Sequence, residues 1–527
     1  MNTDTQLTGL RSLLVLAVSI FSILALAACE PEANESEDSE SADNDMPNIV
    51  IFYVDDLGYG DVGSYGAIGI ETPNIDRLAA GGVRFTDAHS TAATCTPSRY
   101  SLLTGKHGFR LEADILDGDA PLLIRPGTPT LPSMLKDAGY ATGVVGKWHL
   151  GLGNGDVDWN GDISPGPLDI GFDYAFLLPA TGDRVPTVYV ENREVVDLDP
   201  SDPIAISYSG KVGERPTGYE DPDLLRFAAD LQHSDTIVNG VSRIGHMGGG
   251  ESTLWVDEEF PEVFTAKAVQ FIRQNQNQPF FLFRSFHDIH VPRLPHPRFE
   301  GASTMGPRGD AIAQVDWMVG EVVAELETLG IADNTLLIFT SDNGPVLDDG
   351  YTDQSVTLLG KHKPWGLFRG GKYSAYEAGT RVPTIVYWPS SVRTTVSDAL
   401  VSQIDLYASL AALLQQKVSD GEAIDSRNQL DVWLGRNETG REYLLEESVG
   451  TLSLRKGGWK YILPFDGRSG LEWVADDKDI EGGFVMAPQL FDLDSDIGEQ
   501  INVAVQHPEL VSELDVEARR IVTETYR

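Results

Sequence analysis

Cysteine is almost missing from this chain: among 527 residues only Cys29 and Cys95 occur. That excludes a disulfide scaffold and a paired-cysteine zinc site. Cations are scarce too, with 39 Lys and Arg against 80 Asp and Glu and a formal charge of −41. Nucleic acid is thereby excluded as a partner, because phosphate binding needs a basic surface. If the substrate is anionic, its pocket must be locally basic against that background. Long apolar runs are confined to Leu13–Ala28, too short for a comfortable membrane span. No internal repeat is present.

Residues 1–28 read as an export signal. The run ends Leu26-Ala27-Ala28-Cys29, which resembles the lipobox of bacterial lipoproteins, with Cys29 as the lipid-modified first residue of the mature chain. Residues 29–46 are rich in Glu, Asp, Ser and Asn without Lys or Arg and read as a flexible acidic tether. The expected location is the bacterial periplasm or cell surface, with a lipid anchor in the membrane. Cys95 is then an exported thiol without a partner.

The folded part begins at Pro47. Asn48–Val54 is a continuous apolar, β-rich run, as in a buried parallel strand, and it stops at Asp55-Asp56. Thr335–Ser341 repeats the design before Asp342-Asn343, and Pro279–Phe286 leads into His287 and His290. Helical patterns lie between, at Pro73–Ala80, Thr130–Ala138, Val263–Asn275 and Asp310–Leu329. This alternation predicts an α/β fold, a mainly parallel central sheet flanked by helices, with ligands beyond the carboxyl ends of the strands. Residues 47–430 would form the main domain. Within it, 151–260 is an irregular, pocket-shaping insertion with a strand at Asp183–Val190. Residues 431–527 would form a smaller C-terminal α+β subdomain.

The chemistry concentrates at a few places. Cys95-Thr96-Pro97-Ser98-Arg99 opens a helix-like run ending at Gly105, placing Cys95 just before a helix N-terminus that favours an anion, with Arg99 one turn on. Asp55, Asp56, Asp342 and Asn343 supply an all-oxygen set suited to one hard cation, Ca²⁺ more readily than Zn²⁺. Lys147 and His149, two apart, project to one side of an extended segment; His290 follows a strand and Lys372 a glycine-rich turn.

Together these residues resemble the type I, formylglycine-dependent sulfatases of the alkaline phosphatase superfamily. The likeness runs from about Asn48 to Asn502 and includes Gly146-Lys147-Trp148-His149-Leu150-Gly151, Asp342-Asn343-Gly344 and Gly371-Lys372 with Glu377–Pro383. It implies that Cys95 is converted by a formylglycine-generating maturation enzyme and, as the aldehyde hydrate, is both nucleophile and metal contact. It implies Ca²⁺ at Asp55, Asp56, Asp342 and Asn343, and charge stabilisation by Arg99, Lys147 and Lys372. His149 would assist collapse of the sulfated intermediate, and His290 would protonate the leaving oxygen or orient sulfate. The expected activity is removal of sulfate from a sulfated saccharide, exo-acting on galactose or N-acetylgalactosamine glycans. Sugar contacts are expected from Arg184, His246, His287, Asp288 and Arg293. The alternatives are a phosphoesterase or phosphonate hydrolase on the same fold and a carbohydrate-binding lipoprotein with a dead site.

Overall fold

The parallel strands are set by the apolar runs. In the computed structural model, which describes residues 46–449, 451–465 and 481–523, β1 (Asn48–Val54), β2 (Ala141–Lys147), β3 (Tyr174–Leu178), β4 (Phe280–Ser285) and β5 (Thr335–Ser341) lie in the spatial order β5-β1-β4-β2-β3, all parallel. Every residue of β1 and β5 is buried, which is why these segments show no polar alternation. Shorter strands, antiparallel where they join this set, extend it to ten.

Alternate β1 residues feed two cores. Ile49, Ile51 and Tyr53 pack with α2 (Cys95–Thr104), α3 (Leu131–Asp137) and α6 (Leu406–Leu413) on one face. Val50, Phe52 and Val54 pack with α1 (Pro73–Gly81), α4 (Phe260–Asn275) and α5 (Pro307–Thr328) on the other. An antiparallel sheet follows, made of β6 (Tyr443–Glu447), β7 (Leu452–Lys456), β8 (Trp459–Ile462) and β9 (Gln489–Asp492), and the helix α7 (Pro508–Thr523) packs its Leu514, Ala518 and Ile521 on it. All described residues belong to one compact unit.

The structure corrects two local expectations. Asp183–Val190 is not a strand: only Val190 enters one, and Arg184 and Val188 make single bridges to Ile244 and Leu254. A β-rich composition without a neighbouring strand to complete the ladder leaves such a segment irregular. Cys95 is the first residue of α2, with Thr94 as its extended N-cap. The signal segment, the lipobox cysteine and nearly all of the tether lie outside the described residues. Among the described residues no helix is long and apolar enough to cross a membrane.

Candidate active site

Parallel pairing of β1 and β5 puts Val54 beside Ser341, so Asp55-Asp56 and Asp342-Asn343 emerge side by side. The Asp56 amide faces Asp342 Oδ1 at 3.3 Å, and Asn343 Nδ2 donates to Asp56 Oδ1 at 2.7 Å. All four side chains are buried. Burial and the facing Asp342 hold Asp55 well above the usual carboxylate range, and burial followed by Asp342 raises Asp56 against the pull of Lys372. Asp55 Oδ1 and Asn343 Oδ1 are buried without a hydrogen-bond partner. Repelling carboxylates with orphaned oxygens fit a hard divalent cation, and the all-oxygen set suits Ca²⁺. Cys95 Sγ joins Asp55 and Asp342 in a group whose donor atoms lie within 4.8 Å of one another.

Three cations brace this cluster. Arg99 Nη2 and Nε donate to Asp342 Oδ2 at 2.7 and 3.0 Å, and Nη1 reaches the Lys147 carbonyl at 3.2 Å. Lys147, the last residue of β2, pairs with Asp55. Lys372 Nζ bridges Asp56 and Asp349, each at 3.0 Å. Burial works against the Lys372 charge, but Asp349 and Asp56 hold it protonated.

The histidines divide by their ring partners. His149, at φ 53° just beyond the strand, engages the Leu116 carbonyl through Nε2 at 2.9 Å and leaves Nδ1 unpartnered. His290 Nδ1 faces the Val291 carbonyl at 2.7 Å, and its Nε2 stands 3.9 Å from Asp56 Oδ2. Burial, with Lys147 beside His149 and Lys372 beside His290, keeps both imidazoles neutral. Positive φ at Asp56, His149 and Tyr373 places three strained non-glycine residues in this one site.

A cavity of about 200 Å³ opens over Cys95, lined by His149, His290, Lys372 and Tyr373. The 151–260 segment contributes Asp183, Arg184, Gln232, His233 and Ile244 to its wall. Cys95 itself is 1 % exposed, and burial pushes its thiol up to about 12, so the unmodified side chain is a neutral thiol.

Of the expected sugar contacts, Arg184 alone lines this cavity. Arg293 is locked by Asp353 at 2.6 Å and the carbonyls of Ile289, Leu347 and Val346. Asp288 accepts from Gln314 Nε2 at 3.0 Å, and His246 pairs with Asp235 at 3.3 Å. His287 is buried beside His290, with ring centroids 5.7 Å apart, and both its nitrogens are unpartnered. Sequence reasoning missed Asp349, Tyr373 and His233. They sit on irregular segments with no periodic signal; Asp349, in an Asp-Asp-Gly turn six residues after Asn343, was the one readable hint.

The family model for sulfatases matches residues 47–416. This chain belongs to the sulfatase family. It is 51% identical over 495 residues to an N-acetylgalactosamine-6-O-sulfatase of Bacteroides thetaiotaomicron, covering 93% of this chain and 96% of the relative. Arylsulfatase A of Bos taurus is 30% identical over 472 residues, covering 87% and 83%. A solved structure from work on the metabolism of multiple glycosaminoglycans by B. thetaiotaomicron superposes with a TM-score of 0.89 at 51% identity, covering 91% of this chain and 100% of that one. The fold is thus that of the alkaline phosphatase-like superfamily, and the chain is a sulfatase-family enzyme.

Proposed function

We propose that this enzyme hydrolyses a sulfate ester at the end of a sulfated carbohydrate, of the N-acetylgalactosamine 6-sulfate type, with Cys95 matured to formylglycine and one Ca²⁺ in place. The observation carrying the reading is the buried donor set of Cys95, Asp55 and Asp342 at the floor of a small cavity. The similarity to the N-acetylgalactosamine-6-O-sulfatase supports the sugar, and the roughly one-ring cavity supports exo action.

Asp55, Asp56, Asp342 and Asn343 would hold the cation, and Cys95 would supply the modified nucleophile. The bound cation and the aldehyde hydrate supply Lewis-acid and nucleophilic chemistry respectively. The chain's own residues do the rest. Arg99, fixed at three hydrogen-bond donors, and Lys147 and Lys372 set positive charge where the sulfate oxygens gather negative charge. His149, with Nε2–H committed to Leu116, offers Nδ1 as a proton acceptor. His290 directs Nε2 toward the same cluster, and an incoming sulfate, by offsetting Lys372 and Lys147, favours the protonated ring that donates to the departing oxygen.

The test is sulfate release from defined sulfated saccharides by protein co-expressed with a maturation enzyme, with and without chelator. Release that needs maturation and metal, and is lost in Cys95→Ala with the fold intact, is the expected result. Hydrolysis of phosphate esters alone would overturn the reading. We also propose export and lipid attachment at Cys29, on its sequence context. Incorporation of labelled fatty acid should vanish in Cys29→Ala, and retained labelling would refute it.

A further inference from the structure

The mouth of the catalytic cavity is acidic, although the reacting group is an anion. Glu112-Ala113-Asp114-Ile115-Leu116-Asp117-Gly118-Asp119 carries four carboxylates and no cation, and Asp114, Ile115 and Asp117 line the cavity. This run is tied to the catalytic machinery, because its Leu116 carbonyl orients His149.

The other charges of the cavity wall are already matched. Lys372 is shared by Asp56 and Asp349. Arg184 pairs with Asp183 at 2.9 Å, and His233 lies between Asp183 at 3.3 Å and Asp230 at 2.7 Å. Asp114 and Asp117 have no ion-pair partner among the described residues, and both are exposed. Asp117 also feels Arg184, whose guanidinium Asp183 already neutralises. With Ca²⁺ bound, Arg99, Lys147, Lys372 and the ion outweigh Asp55, Asp56, Asp342 and Asp349 by one charge, so the loaded floor is net positive while the rim is net negative. An anion seated on the floor gains there, while a second anion on the same sugar, or on the next one, is left against two uncompensated carboxylates.

We propose that Asp114 and Asp117 form an electrostatic filter that selects saccharide ends on which the reacting sulfate is the sole nearby anion. Neutral hydroxyl and N-acetyl groups pass the rim, and uronates or a second sulfate on the same ring are disfavoured. The inference rests on the sulfatase reading above and deepens it by naming the charge class of the accepted substrate.

Matured enzyme with Ca²⁺ is assayed on N-acetylgalactosamine 6-sulfate and on its 4,6-disulfate, at low and raised ionic strength. Wild type should favour the monosulfate by about tenfold or more in kcat/KM at low salt, and the Asp114→Asn/Asp117→Asn double variant should reduce that ratio to about threefold or less. Added salt should lower the wild-type ratio and leave the variant's nearly flat. A ratio unchanged by the substitutions overturns the filter, whether both esters slow together, as lost hydrogen bonds to sugar would make them, or neither changes. A wild-type preference for the disulfate overturns it outright. Affinities of the Cys95→Ala protein for the same two esters give the ratio without turnover. The filter is then decided even if neither ester is hydrolysed, an outcome that counts against the proposed reaction alone.

Discussion

Lys460 Nζ stands 3.0 Å from Glu377 Oε1 and 2.7 Å from Glu446 Oε2, joining β8 of the C-terminal sheet to the short helix Glu377–Thr380 that follows the Lys372 turn. Arg455 Nη1 adds a 2.6 Å contact to the other Glu377 oxygen, and all four groups are buried. Removing one partner of a buried ion pair strands the others, at a cost of about 3–5 kcal/mol. Lys460→Met should therefore lower stability by that order in chemical denaturation, and Lys460→Arg should recover most of it. A loss under about 1 kcal/mol would mean that the remaining partners, Arg455 and Arg381 on Glu377 and His89 on Glu446, compensate both carboxylates.

The Asp55, Asp56, Asp342 and Asn343 cluster makes a prediction independent of turnover. A cation that binds only the folded chain stabilises it by about 2.7 kcal/mol at a hundredfold excess over Kd. Protein stripped by chelator should melt lower, and added Ca²⁺ should restore Tm in a concentration-dependent way. Asn343→Ala, which deletes an orphaned oxygen, should move that dependence to higher Ca²⁺. A Tm indifferent to Ca²⁺ in the wild type would rule out the cation site.

Much of the site was legible because interior parallel strands have an unmistakable pattern. Unbroken apolar runs at Asn48–Val54 and Thr335–Ser341, each stopped by a polar pair, predict both the strands and the convergence of Asp55-Asp56 with Asp342-Asn343. Arg293 and His246 do not line the cavity, and their sequence surroundings give no sign of it. Nothing local shows that Asp353 and Asp235, 60 and 11 residues away, have already engaged them. His233 and Asp349 were missed because irregular segments bring them to the cavity through packing alone.

His107 supplies the pH dependence. It is 2 % exposed with Nδ1 unpartnered, and burial, reinforced by Arg441 and Arg110 against Asp425, pushes its imidazole down to about 4. Below pH about 6.5 the unfolded chain takes up a proton that the folded chain refuses until about 4, so stability falls as pH drops through that window. The integrated loss is on the order of 3 kcal/mol. His107→Gln should make the slope of unfolding free energy against pH shallower by about one proton between pH 6.5 and 4. An unchanged slope would show that the ring is protonated in the folded state.

A formal charge of −41 sets the last expectation. An anionic saccharide must approach through a repulsive field and pass the Asp114 and Asp117 rim before it reaches Lys372 and Cys95 in the cavity. Raising ionic strength from about 0.01 to 0.15 M shortens the Debye length from about 30 to 8 Å, which screens the exposed carboxylates far more than the buried cations. The kcat/KM for a sulfated saccharide should accordingly rise severalfold with salt while kcat stays level, since the charges acting on bound sulfate are out of solvent. A kcat/KM that falls with salt would mean the opposite balance, with the buried cations projecting a positive field beyond the rim that dominates approach despite the chain's net charge.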